Sequence, residues 1–140
     1  MLLFLFACSS DPLISLSPTS VSWGEINFAD AIPADGYAPT QVVVDNESDE
    51  ELSLSLANFD WDYLCLVGFS DTGETLELAT LSGQTSFVVQ LSVCNYNPDQ
   101  GERDTEVSGQ ILLKAEQEKQ TTELTLPWSF TPVLRFGDTG

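Results

Sequence analysis

The sequence contains no histidine, and only four of its 140 residues are lysine or arginine. Without histidine, the chain cannot assemble the Ser-His-Asp or Cys-His systems that activate nucleophiles, or a metal centre with histidine ligands. The scarcity of basic residues excludes a nucleic-acid-binding surface, because phosphate groups are bound by clustered lysine and arginine. We therefore expect a protein without these common catalytic and phosphate-binding chemistries.

Helical periodicity is also missing, since no stretch of about ten residues repeats its apolar positions at helical spacing. Apolar and polar residues alternate instead, most regularly at Leu52, Leu54 and Leu56. Turn residues interrupt this alternation at intervals of about 8–12 residues. The pattern predicts an all-β, immunoglobulin-like antiparallel sandwich of roughly seven to nine strands, with Trp23 and Trp128 in its core.

Three local features of the strand pattern lead to further predictions. Gly24 interrupts the alternation between Trp23 and Ile26, which predicts a β-bulge. Residues 45–51 are rich in turn formers and are interpreted as a hairpin connection. Residues 63–67 carry apolar side chains at successive positions, so this strand is expected to be buried on both faces.

Acidic residues outnumber basic ones by 22 to 4, and the formal net charge is −18. Such an excess keeps a protein soluble and attracts cations. The densest run spans residues 45–51, and its carboxylates Asp45, Glu47 and Asp49 are weak candidates for a calcium site, because calcium takes oxygen ligands. The run lacks the glycine and the spacing of an EF-hand, so a solvated loop is the alternative. No other cofactor is indicated.

The chain begins with an apolar run, residues 1–7, which is too short for a membrane-spanning helix of about 20 residues. Leu5-Phe6-Ala7-Cys8 resembles the lipobox of bacterial lipoproteins. This resemblance implies a signal segment at 1–7, a lipid on Cys8, a tether at 8–12, and attachment to the outer membrane through the lipid. No basic residue precedes the run, and a true start upstream of Met1 would explain this; a first β-strand or a fragment boundary is the alternative.

A lipid on Cys8 would leave Cys65 and Cys94 as an even pair in an oxidising compartment. A disulfide between them would close a loop of about 30 residues and stabilise the fold by roughly 3–4 kcal/mol. Two buried free thiols are the alternative, because the sequence does not show whether their Cα atoms lie within reach of each other.

Several short motifs follow one another in a recognisable order. Pro18 precedes an apolar residue and the aromatic-glycine pair Trp23-Gly24; later motifs are Val-Val-Val-Asp-Asn at 42–46, Leu-Ser-Leu at 52–54, Ser-Gly before Val-Val at 82–89, and Pro-x-x-Gly at 98–101 before Gly-Gln-Ile-Leu at 109–112. In this order, residues 13–130 resemble an ASH-type (Hydin-like) immunoglobulin-like domain. The resemblance implies an interaction or spacer module and not an enzyme.

Two segments add to this comparison. Tyr96 stands where the family places an aromatic residue, but it is out of phase with Val93, which implies a bulge near Cys94. Residues 131–137 repeat the Pro-apolar-aromatic-Gly signature of residues 18–24. We interpret residues 131–140 either as a C-terminal tail or as the start of an incomplete second repeat.

Two tripeptides, at 71–73 and 138–140, read Asp-Thr-Gly, as in aspartic proteases. Ser70 and Gly137 stand where an apolar residue is expected before the aspartate, and Asp and Gly favour turns in any β protein. We interpret both as turns and assign no catalytic residue.

Trp61 and Tyr63, next to Asp60 and Asp62, are the candidate ligand contacts, because Trp61 has no clear phase in a strand. The sequence thus predicts a lipid-anchored, non-catalytic binding or scaffolding module of the bacterial cell envelope. Its partner would be another envelope protein or a surface polymer. A calcium-dependent carbohydrate-binding module is the alternative function.

Overall fold

The computed structural model describes residues 11–29, 36–69, 75–94 and 103–135. This part of the chain contains nine β-strands and no helix, and therefore no helix long and apolar enough to cross a membrane. The prediction of an all-β sandwich with roughly seven to nine strands is confirmed. The strands are β1 (Ile14–Ser17), β2 (Val21–Asn27), β3 (Tyr37–Asn46), β4 (Leu52–Ala57), β5 (Leu64–Leu66), β6 (Leu76–Leu81), β7 (Ser86–Val93), β8 (Val107–Glu116) and β9 (Thr121–Val133).

The strands form two sheets that pack face to face. The first sheet has the order β1-β3-β7-β5, and the second has the order β2-β9-β8-β4-β6. β2 runs parallel to β9, with Val21 opposite Trp128, whereas the other strand pairs are antiparallel. The parallel strand adds to an otherwise antiparallel immunoglobulin-like sandwich.

The alternation along the strands places the core between the two sheets. Leu52, Leu54 and Leu56 of β4 are buried, whereas Ser53 is exposed on the outer side. Fully burying one such side chain contributes roughly 1.5–3 kcal/mol. Trp128 lies in this core, and Trp23 is half-buried against it. The same period buries Val42, Val44, Val89, Leu91, Ile111, Leu113, Leu126 and Phe130.

The bulge predicted at Gly24 is confirmed. The register of β2 against β9 shifts between Ser22 and Glu25, and Gly24 has a φ of 67°. A residue with a Cβ is strained in this left-handed region, which explains the glycine.

The prediction of a hairpin at residues 45–51 is wrong, because β3 lies in the first sheet and β4 in the second. Asn46, which is only 2% exposed, organises this crossing between sheets. Its side-chain amide donates to the backbone oxygens of Glu50 at 2.8 Å, Ser82 at 3.0 Å and Leu81 at 3.3 Å. A turn-forming composition alone does not distinguish the two kinds of connection, since both need the same local chemistry.

The prediction that residues 63–67 are buried on both faces is also wrong. β5 is an edge strand of 3 residues that pairs with β7. Leu64 and Leu66 point into the core, but Cys65 is half-buried and Val67 is 46% exposed. The apolar outer side of this strand therefore lies at the surface.

The bulge implied near Cys94 is not found up to that residue. The backbone N–H of Cys94 donates to the carbonyl oxygen of Tyr63 at 2.8 Å, which continues the pairing of β5 with β7. The irregularity lies on β3, where the register against β7 shifts between Tyr37 and Thr40. Tyr96, on which the prediction depended, lies outside the described residues.

Candidate functional site

The two predicted aromatic ligand contacts pack against the core. The ring of Trp61 lies edge-on to Phe59, with 4.5 Å between centroids, and Trp61 is half-buried. Tyr63 lies edge-on to Trp128 at 6.2 Å and to Phe130 at 6.3 Å. Both rings are therefore half-buried against the core, and their role as ligand contacts stays a prediction.

Asp60 shapes the loop that carries these rings. Its Oδ1 accepts a hydrogen bond from the backbone N–H of Asp62 at 3.1 Å, and its carbonyl oxygen accepts from the N–H of Leu64 at 2.9 Å. Burial raises the pKa of the Asp60 carboxyl, and the neighbouring charge of Asp62 also raises it, whereas backbone N–H groups lower it. Asp60 therefore holds a turn by local hydrogen bonds.

The three calcium candidates are held apart by different partners. Asp45 accepts a hydrogen bond from the Ser86 hydroxyl, and Glu47 accepts one from the Ser15 hydroxyl at 2.6 Å. Asp49 accepts from Nε2 of Gln84 at 3.2 Å. Within the described ranges, no three histidine, cysteine, aspartate or glutamate side chains are grouped so that they could hold a metal ion.

Cys65, on the edge strand β5, lies next to Cys94, which directly follows the inner strand β7. Their Cα atoms are 5.7 Å apart, a separation usual for disulfides, and the structure joins their sulfur atoms. Gly36 covers the pair: a Cβ at Gly36 would lie 2.6 Å from Sγ of Cys94 and 2.6 Å from Cβ of Ser92. The bridge would therefore tie the short edge strand β5 to β7 under a closely packed backbone.

The remaining candidate residues fall where the structure makes no statement. Cys8, with the whole apolar run before it, lies outside the described residues. The same holds for Asp71 and Asp138 of the two Asp-Thr-Gly tripeptides.

The outer side of the first sheet is a surface that the sequence interpretation missed. Pairing between strands arranges its side chains in rows: Val67, Gln90 and Gln41 form one row, and Val88 and Val43 lie in the next. We define the neutral face as nine outward side chains of this sheet and of the turn after β5, namely Ser15, Ser17, Gln41, Val43, Asp45, Val67, Ser86, Val88 and Gln90.

Exposed valines mark the neutral face. Val88 is 48% exposed and Val67 is 46% exposed, and they are the exposed large hydrophobic side chains of the described residues. Val43 lies directly opposite Val88 across the β3–β7 pair. The signal was visible in the sequence, since Val88 occupies a position that would be polar in a strand with a solvated outer side.

The outer side of the second sheet has a different character. It carries Glu77, Glu116 and Glu123 around a shallow groove. Lys114 lies in the same groove and forms an ion pair with Glu116 at 3.6 Å. The two outer sides of the sandwich therefore differ in charge, and carboxylates predominate on the second.

Comparison with known proteins gives a fold but no family by sequence. No family model matches the sequence, and no curated protein matches it. Among solved structures, the human CEP192 ASH/PapD-like domain 7 is similar over 91% of this chain and 89% of its own, with a TM-score of 0.56 at 7% identity. The chain thus has the ASH/PapD-like fold, and the resemblance inferred from the ordered motifs is confirmed at that level.

Two further solved structures share this fold with parts of larger chains. The periplasmic chaperone SfaE is similar over 85% of this chain, with a TM-score of 0.56 at 15% identity. The VesB protease of Vibrio cholerae is similar over 93% of this chain, with a TM-score of 0.55 at 13% identity. The chain spans 57% of the chaperone and 35% of the protease, so the likeness concerns a domain of each.

Proposed function

We propose that the chain is a non-catalytic, protein-binding module of the bacterial cell envelope, anchored by a lipid on Cys8. The neutral face is the observation that carries the binding role. It is a surface with exposed valines and a single ionisable side chain, Asp45, built on paired strands of a chain with a net charge of −18. Exposed apolar patches mark protein interaction sites.

The fold supports a binding role without proving it. A chaperone binds other proteins, and the periplasmic chaperone SfaE shares this fold. The VesB protease contains a similar domain too, but a fold by itself carries no activity. This chain has no histidine, so a histidine-dependent protease centre cannot be built from it.

The proposed location in the cell envelope is supported by the sequence and by the cysteine pair. Residues 1–7 would be the signal segment, 8–12 the tether, 13–130 the sandwich, and 131–140 a tail or the start of a further repeat. The cysteine pair supports export, because Cys65 and Cys94 lie within bonding reach and disulfides persist in oxidising compartments.

Metabolic labelling with a fatty-acid analogue tests the anchor. We expect label on the wild type and on Ser9→Ala, a matched change next to the attachment site, and none on Cys8→Ala. The label should move with the membrane fraction. Equal labelling of the wild type and Cys8→Ala, or an unlabelled wild type, would remove the lipid from the proposal.

The calcium-dependent carbohydrate-binding module is the weaker proposal. Its three carboxylates are hydrogen-bonded to separate partners, and its two aromatic rings pack against the core. Either function would need an envelope polymer or protein at the cell surface, so calcium dependence distinguishes them.

A further inference from the structure

We propose that the neutral face docks a second protein whose contact patch is apolar and uncharged at its centre and carries lysine or arginine at its margin. This inference rests on the proposed function and names the surface and the partner chemistry. The centre of the face is formed by Val43 and Val88, which pair directly across β3 and β7, and by Val67, which follows β5 and lies beside Gln90 in the next row.

Charge is sparse on this face. Asp45 is the only ionisable side chain among the nine residues that define it, and Asp45 accepts a hydrogen bond from Ser86. A buried charge without a partner is costly, so the central parts of protein interfaces are depleted of charged residues. Covering this surface of valine, glutamine and serine therefore buries one carboxylate, Asp45, and its hydrogen bond from Ser86 offsets part of the desolvation cost.

Carboxylates lie around this centre. Glu47 follows β3 and accepts a hydrogen bond from Ser15 on the edge strand β1, and Asp62 is exposed just before β5, the edge strand on the other side of the sheet. Together with the net charge of −18, they would attract basic side chains at the margin of a partner. The same charge disfavours a second copy of this chain as the occupant, because two strongly acidic surfaces repel each other.

The face is organised before binding. β3 and β7 are the inner strands of the first sheet, paired from Tyr37 opposite Val93 to Asp45 opposite Ser86. The ladder of strand pairing fixes the backbone positions that carry the side chains between these ends. A preorganised surface loses little conformational entropy on binding, which favours affinity.

Photo-crosslinking in intact cells tests the location. Benzoylphenylalanine replaces Val88 in one version of the full chain and Gln110 in the other. Gln110 is an exposed outward position of β8 in the second sheet, so it is a matched control. We expect crosslinks from position 88 to a protein with a basic margin, and few from position 110.

Titration of the crosslinked protein, once identified and purified, tests the contact itself. Val88→Glu and Gln110→Glu each add one negative charge at an exposed strand position. We expect Val88→Glu to weaken binding at least about tenfold and Gln110→Glu less than about twofold. Raising the salt concentration from about 50 to about 500 mM should weaken wild-type binding, because salt screens the basic margin.

Each of the other outcomes refutes a defined part of the proposal. Crosslinks from position 110 but not 88, or equal binding by both variants, refute the neutral face while the binding module stands. Crosslinks from position 88 to a second copy of this chain refute the basic partner. Crosslinks from neither position, repeated across exposed positions of both sheets, refute the proposed binding function as well. Binding that is insensitive to salt refutes the basic margin alone.

Discussion

Gly109 lies directly opposite Trp128 across the β8–β9 pair, and the indole ring covers the place where a side chain would be. A Cβ at Gly109 would lie 2.7 Å from Cζ2 and 2.9 Å from Cε2 of Trp128. The absence of a side chain at Gly109 therefore leaves room for the indole of Trp128, which stacks with the Phe130 ring at a centroid distance of 6.2 Å.

Gly109→Ala should destabilise the fold, although alanine is ordinarily the better strand residue. The added methyl group must displace the indole, and overpacking of this kind costs about 1–3 kcal/mol. Urea denaturation measures the change, and Ser108→Ala, an exposed neighbour, should shift the free energy of unfolding by less than about 0.5 kcal/mol. A Gly109→Ala variant as stable as the wild type would show that the ring adjusts freely.

Asn46→Ala should lower the free energy of unfolding by at least about 2 kcal/mol, because three backbone oxygens lose their donor in a buried place. Asn46→Asp should cost at least as much at neutral pH, since it turns a carboxylate towards those same oxygens. Gln41→Ala, on the exposed side of the same strand, is the control. Thermal unfolding that ranks Asn46→Ala with Gln41→Ala would contradict the role of this side chain.

The Asp60 carboxyl should make stability depend on pH. Burial raises its pKa above the ordinary 3.8. The contribution of the Asp60 carboxyl to the free energy of unfolding is therefore fully present below pH 3.8, and it is lost as the pH rises through the raised pKa. Across that window, the wild type should lose stability relative to Asp60→Asn, as measured by urea denaturation at a series of pH values. A difference between the two that is constant with pH would argue against burial of this group.

Glu25 should affect the pH dependence of stability in the opposite direction. Its carboxylate binds the Arg135 guanidinium at 2.8 Å, and this hydrogen bond and the charge of Arg135 lower the pKa of Glu25 below 4.5. The contribution of Glu25 to stability is present above pH 4.5, and it is lost as the pH falls through the lowered pKa. The wild type should thus lose stability relative to Glu25→Gln on acidification, by a small amount, because the pair is exposed.

The cysteine pair should appear as a disulfide in protein from an oxidising compartment. The intact mass should be two hydrogens below that of the reduced chain, and Cys65 and Cys94 should resist alkylation until a reductant is added. The double change to serine should cost roughly 3–4 kcal/mol in the chain-entropy model. Alkylation of both thiols in the untreated, folded protein would instead leave the alternative of two free cysteines.

Calcium should leave the melting temperature unchanged between a millimolar addition and a chelator, because Asp45, Glu47 and Asp49 are bound to separate partners. A rise of several degrees with calcium, absent in Glu47→Gln, would favour the carbohydrate-binding alternative.

The sequence was informative wherever burial follows a simple period. The alternation at Leu52, Leu54 and Leu56 correctly predicted a strand, and Gly24 correctly predicted a bulge, because each signal is local. The hairpin predicted at residues 45–51 was wrong, because a local turn composition does not distinguish a hairpin from a crossing between sheets. That choice depends on where Leu81 and Ser82 meet Asn46, far along the chain.

The same limit applies to the sites. The composition excluded histidine-based catalysis and nucleic-acid binding, because folding cannot supply side chains that the sequence lacks. The sequence also determined the alternation that separates the inner from the outer side of each strand. Only the tertiary structure decided which strands join which sheet. It placed Trp61 and Tyr63 half-buried against the core and gave Asp45, Glu47 and Asp49 separate hydrogen-bond partners. It also brought Val43, Val88 and Val67 to one outer side of a sheet, because pairing joins residues that are distant along the chain.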